Sequence, residues 1–321
     1  MFSWLFSFIP TAHAHVRYVL PEAAQQPGTD WAFLLEAATQ GRTWFIALAL
    51  TGISVAAFHL VKRIQFIRKE AHHIKARGES YRALAPWTLR ISLGIALLGA
   101  AGAGDFLSPA VSGAGVLAPI ELVIGFLLLI GFLTGPAALA TIALWIIAIF
   151  RFPELLGSFE IPVAAMALIL WGSSRPGADD LLNIPFMPDL GHHVRRYGLP
   201  LLRIGVGVTL MFLAVYEKLL NPREAAAVVE LYDLGIIIPV TTARWVLGAG
   251  LVEAAVGLAV FLGWRTRIMS GVAFAVMRVT FFAFGDAVYA HVVLFGALSM
   301  LIALGPGKPS VDSWLLKKEK E

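Results

Sequence analysis

The chain has 321 residues, 58% of them hydrophobic and 14% charged, with a mean hydropathy of +0.78. Soluble domains carry charge on about a quarter of their residues, so this composition excludes an ordinary soluble domain. The net charge of +4 lies in basic segments between apolar runs, which mark the cytoplasmic face of a membrane protein rather than a nucleic-acid surface.

The apolar runs are about 17 to 25 residues long, enough to cross roughly 30 Å of hydrocarbon. The expected fold is therefore all-α and polytopic. With no cysteine in the chain, disulfides, thiolate metal sites and a thiol relay to quinone are excluded.

In chain order, residues 1–42 read as an outer-side segment with turn signals at Pro21 and Pro27-Gly28. Ala12-His13-Ala14 has the form of a signal-peptidase site, although no positive charge precedes it and the apolar stretch before it is short. His13 and His15 form an H-x-H pair. If the chain were cut after Ala14, an amino group and the imidazole of His15 would together suit copper.

A leading transmembrane helix is expected over 43–61, followed by a basic cytoplasmic loop over 62–86. Four runs then follow at about 87–104, 115–134, 136–152 and 159–172. After a cytoplasmic linker (173–198) come four more, at 199–220, 243–263, 268–285 and 288–304, and a basic cytoplasmic tail (306–321). Nine spans with these basic loops place the N-terminus outside and the C-terminus inside a bacterial plasma membrane.

The two groups of four runs look alike. RISLG (Arg90 to Gly94) matches RIGVG (Arg203 to Gly207), and Pro109 and Pro222 keep the same offset. Glu121, Gly125, Gly131 and Thr134 match Glu253, Gly257, Gly263 and Thr266 in an E-x3-G-x5-G-x2-T pattern. The expectation is one leading helix plus two four-helix units, 87–172 and 199–305, the second carrying an insertion of about REAAAVVELYDLGIIIPVT.

Midspan carboxylates are costly in lipid unless neutral or partnered. Arg278, midway along the next span, is the expected partner of Glu253, and Ile146 holds the matching place in the first unit. Such a pair either fixes helix register or lines a polar ligand cavity. Tyr216, Glu217, Lys218, Asp286, Tyr289 and His291, with Asp105, gather at the outer ends of the helices. They read either as interfacial side chains or as a headgroup site that exchanges protons.

LLRIGVGVTLMFLAVYEKLLNP followed by GLVEAAVGLAVFLGWRTR, with Glu253 and Gly257, resembles the DoxX/DoxD-like membrane proteins. The resemblance is clearest over 199–305 and looser over 87–172. It implies a four-helix bundle, and some members of that family are subunits of thiosulfate:quinone oxidoreductase.

The function expected is an integral membrane subunit of a quinone-linked oxidoreductase with partner membrane or periplasmic subunits. Glu253, Arg278 and Glu217 carry its chemistry, and Tyr216, Lys218, Asp286, Tyr289, His291 and Glu121 surround a quinone headgroup. The alternatives are a non-catalytic anchor or assembly subunit of a respiratory or periplasmic complex, and copper handling by His13 and His15.

Overall fold

A computed structural model describes residues 20, 30–45, 81–113, 115–172, 176–183, 191–236 and 238–318. The expected leading helix, most of the basic loop after it, His13 and His15 fall outside the described residues, apart from the first residues of that helix and the last of that loop.

The first described helix is α1 (Trp31–Thr39). The four apolar helices that follow are α2 (Ala85–Ala103), α3 (Ala118–Ile130), α4 (Thr134–Ile149) and α5 (Glu160–Trp171). Two short helices, α6 (Ala178–Leu181) and α7 (Gly191–Arg195), lead to the second group. That group comprises α8 (Gly198–Leu213), continued by a π-helix over Ala214–Leu220, then α10 (Thr242–Leu262), α11 (Thr266–Phe284) and α12 (Val288–Leu304). The inserted segment forms α9 (Pro222–Leu231), and the chain ends in α13 (Val311–Lys318).

All eight expected runs within the described residues are helices, with boundaries shifted by a few residues. Among the described residues, four helical stretches are long and apolar enough to cross a membrane, at 81–103, 193–220, 242–262 and 266–284. The helices α3, α4, α5 and α12 are apolar but shorter.

The structure departs from the sequence reading in the loops and at the ends of the chain. A two-stranded antiparallel ribbon, β1 (Asp105–Phe106) with β2 (Ser108–Ser112), interrupts the otherwise helical chain. Gly104, at φ +83°, ends α2 and turns the chain into it. The outer-side segment is not simply exposed either. Asp30 caps α1 by accepting from the Phe33 amide, and Leu34 and Ala37 are buried against Ala225, Val229, Val246 and Leu247. Arg223 beside Asp30, and Arg244 bonded to Gln40 and Thr43, hold the same contact from its polar side.

Linker and tail are likewise more than solvated connections. Asp179 accepts from the amides of Leu133 and Thr134, and its own amide donates to Gly131. Asp312 accepts from Arg265 and Thr266, and its own amide donates to Gly263. Each aspartate therefore caps a helix N-terminus, satisfying amides that the helix itself leaves unpaired.

Beside each cap a buried arginine donates to a proline carbonyl: Arg90 to Pro176 at 2.8 Å, and Arg203 to Pro309 at 2.9 Å. Gly131 (φ +72°) and Gly263 (φ +73°) close the preceding helices there, and a Cβ on either would strike the arginine. Only glycine meets both demands. The two groups of helices thus end in clamps of the same construction.

Helix packing follows the small residues. A Cβ on Gly207 would stand 2.6 Å from the Phe261 amide nitrogen, and one on Gly257 2.9 Å from that of Met211, so α8 and α10 touch backbone to backbone. Gly94 and Gly125 bring α2 and α3 together in the same way. The core joins both groups: α2 packs against α12 and α8 against α5, around Leu89, Leu93, Leu97, Leu168, Leu202, Leu294, Leu298 and Leu301.

Candidate functional site

Below Gly250, where a Cβ would meet Lys218 and Leu219, α10 turns Glu253 toward the end of α8. There the chain winds wider, and the π-turn from Ala214 to Leu220 places Tyr216, Glu217 and Lys218 at the helix end. Single π-turns of this kind recur at functional sites, since they redirect side chains without breaking the helix. The amide and side-chain nitrogen of Asn221 both donate to the Tyr216 carbonyl and finish the turn.

Lys218 Nζ lies 2.5 Å from Glu253 Oε2 and 3.8 Å from Glu217 Oε2. Glu217 is buried, whereas Lys218 and Glu253 are partly accessible. One ammonium thus faces two carboxylates. Tyr216 stacks on Phe212, with ring centroids 5.3 Å apart and planes 4° from parallel. Both rings line an apolar groove of about 370 Å³ with Val208, Met211, Val215 and Leu220.

The expected pair of Glu253 with Arg278 does not form. Arg278 is exposed on α11 with its guanidinium 5.7 Å from the Phe282 ring centre, and Glu253 meets Lys218 instead. The reason is helical phase. The helix α11 buries Thr266, Ser270 and Ala273 and turns Met277 the same way, so residue 278 projects outward. Ile146, its counterpart on α4, is also exposed.

The remaining candidates gather in two further places. His291 Nε2 is 3.1 Å from Asp286 Oδ2, among the rings of Phe281 and Phe295. The Tyr289 hydroxyl donates to Asp105 Oδ2 at 2.6 Å, joining α12 to the ribbon. Glu121 is fully buried and accepts from the Leu107 amide at 2.9 Å. Among the described residues no three histidines, aspartates or glutamates converge as metal ligands.

Two buried carboxylates, Glu160 and Glu224, escaped the sequence reading. Glu160 is 2% exposed and accepts from the Thr209 hydroxyl at 3.3 Å, between α5 and α8. Its position at the start of a run resembles an ordinary helix-start acid, and only the packing of one helical group on the other buries it.

The fold and these sites define an all-helical membrane protein with polar groups held inside its bundle. Residues 198–286, which span α8 through α11, match the model of the DoxX family. The resemblance seen in α8 and α10 therefore holds for that stretch. No curated protein and no solved structure matches the chain.

Proposed function

We propose that the chain is a membrane subunit that binds a lipophilic quinone beside Lys218 and takes part in quinone-linked oxidoreduction. The observation that supports this reading is the sharing of Tyr216. It lines the apolar groove with Phe212, and it immediately precedes the Glu217–Lys218 pair that meets Glu253.

Such a site suits the group. The groove is formed on one face of α8 and its π-turn, is apolar with two parallel aromatic rings, and Glu217 and Lys218 follow Tyr216 directly in the chain. A bound quinone supplies two-electron, two-proton chemistry. The chain's own contribution is electrostatic and protonic. Lys218 donates to a carbonyl oxygen and stabilises negative charge near it, and Glu217 and Glu253 restore the proton that Lys218 gives up. Electrons come from a partner chain or directly from the donor. The two helical groups act in this reading as two four-helix units of one design. The end bearing the ribbon and Lys218 faces outward, in the plasma membrane of a bacterium.

Extraction of the purified, detergent-solubilised protein and mass spectrometry test the proposal. The expected result is quinone near one per chain, lost in a folded Lys218→Met variant and retained in Arg278→Leu. Absence of quinone from gently extracted, folded wild type would overturn it.

The second reading, an anchor for partner subunits, is favoured by Arg278. A cation on the lipid side of an apolar helix costs about 3 kcal/mol unless it is covered or reaches the interface. A partner helix bearing a carboxylate at that depth would remove the cost. Co-purification of a partner lost in Arg278→Leu supports this reading, and unchanged co-purification counts against it.

A further inference from the structure

The outer ends of the two helical groups differ in sign. With Arg90 laid on Arg203 and Pro109 on Pro222, Asp105 falls at the place of Lys218, as Glu121 falls at that of Glu253. In the second group the carboxylate meets an ammonium at 2.5 Å. In the first, another acid, Asp105, lies two residues before Leu107, whose amide donates to Glu121.

Glu121 is 0% exposed. Its Oε1 accepts from the Leu107 amide, but its Oε2 is buried with no hydrogen-bond partner. Leu107 holds φ at +60°, a left-handed conformation unfavourable for a side chain of that size, and this bend points its amide at Glu121. The ribbon is thus committed to the carboxyl it covers.

Among the described residues no cation answers the two acids. Among the elements packed broadly on α3, α4 carries no titratable residue, and the short turn over Gly115–Leu117 carries none. The helix α2 carries Arg90 alone, held by Pro176 in the clamp at the far end of α3. The ribbon contributes Asp105, and through Asp105 comes Tyr289 of α12. Since no third carboxylate or imidazole joins Glu121 and Asp105 among the described residues, the missing positive charge has no multidentate cage. A proton needs none.

We propose that Glu121 is a proton-exchange site, its unpartnered Oε2 taking up and releasing a proton through Asp105 and Tyr289 at the ribbon end of the first helical group. Asp105 is half-buried and stands two residues before Leu107, whose amide holds the enclosed carboxyl. Tyr289 is seated tightly against Gly99 of α2 and fixes Asp105 through its hydroxyl. As Tyr289 belongs to α12, the proton site of the first group is framed by a helix of the second. The site is independent of any ligand at Lys218.

Infrared difference spectroscopy of the whole protein in detergent tests this, using the carbonyl stretch of a protonated carboxyl. The expected wild-type spectrum has such a band, shifted by isotope-labelled glutamate and by transfer into heavy water. The band is lost in Glu121→Gln and kept in Glu253→Gln. Asp105→Asn, which leaves Glu121 in place, slows its hydrogen–deuterium exchange on the order of tenfold or more, as loss of a proton-transfer partner does. Glu160→Gln, which should leave the Glu121 band in place, and Asp105→Asn keep the test decisive even if Glu121→Gln fails to fold. Absence of a glutamate band overturns the proposal, as does a band that never exchanges in the folded protein. Stabilisation by sodium that depends on Glu121, without the band, overturns it in favour of a metal cation.

Discussion

Lys218 Nζ stands 2.5 Å from Glu253 Oε2, an ion pair between the π-turn that ends α8 and the middle of α10. Glu217, at 3.8 Å, shares the same ammonium and is the most deeply buried of the three. The carboxylate in the middle of an apolar helix is thus accommodated by the helix packed closest to α10, at glycines 207 and 257. The neighbour next in sequence, α11, plays no part.

Removing Lys218 leaves two carboxylates facing one another with no cation between them. Lys218→Met is expected to destabilise the protein by about 3 kcal/mol, the lower end of the range for breaking a buried pair, because two of the three groups keep some access to solvent. Adding Glu253→Gln should recover most of that loss. Thermal unfolding in detergent measures both, and a single variant as stable as wild type would refute the pairing.

Close packing of α8 on α10 makes Gly207 intolerant of any side chain. Gly207→Val forces a methyl-bearing carbon to within 2.6 Å of the Phe261 amide, where backbone must move. A loss of about 1–3 kcal/mol is expected, as for other overpacked interiors. Gly271→Ala, whose Cβ meets nothing within 4 Å, is the control. Equal stability of the two variants would contradict the contact.

Those glycines mark how much the sequence could reveal. Apolar length located the eight described helices of the two groups, whereas the recurring glutamate and glycine were legible only as a repeat and not as the faces that meet. Arg278 was misplaced because depth along a helix was weighed without its phase. Thr266, Ser270, Ala273 and Met277 recur at intervals of three and four and leave position 278 pointing outward. The clamps stayed hidden for another reason. Pro176 and Asp179, like Pro309 and Asp312, lie in polar stretches that read as solvated loops, and only long-range contacts with Arg90, Thr134, Arg203 and Thr266 reveal their role. Glu160 is likewise buried by a contact between helical groups that no local pattern encodes.

Capping by Asp312 sets the start of α11. Its carboxylate accepts from the Arg265 amide at 2.7 Å and from Thr266 at 3.1 Å, in a turn where Arg265 itself has φ +47°. Asp312→Ala should cost about 1–2 kcal/mol, the upper half of the range for a lost N-cap. Hydrogen exchange at residues 265–268 should quicken in step. Asp179→Ala should act the same way on residues 133–135. Unchanged exchange at these amides would show that the caps contribute nothing.

Arg278 provides the sharpest contrast between reading by depth and reading by phase. Were it the partner of Glu253, Arg278→Leu would strand a carboxylate and destabilise the chain by several kcal/mol. Its exposed position on α11 and its contact with the Phe282 ring give the opposite expectation. Exposed cation–π contacts contribute only about 0.5–1 kcal/mol, and in a membrane the leucine also removes a charge from the lipid side. The isolated variant should therefore melt within about 1 kcal/mol of wild type, or above it in bilayers. Lys218→Met, measured beside it, should fall well below both. If Arg278→Leu proves the more damaging of the two, α11 must turn its face inward in the membrane, and the pairing of Glu253 with Lys218 must yield to Arg278.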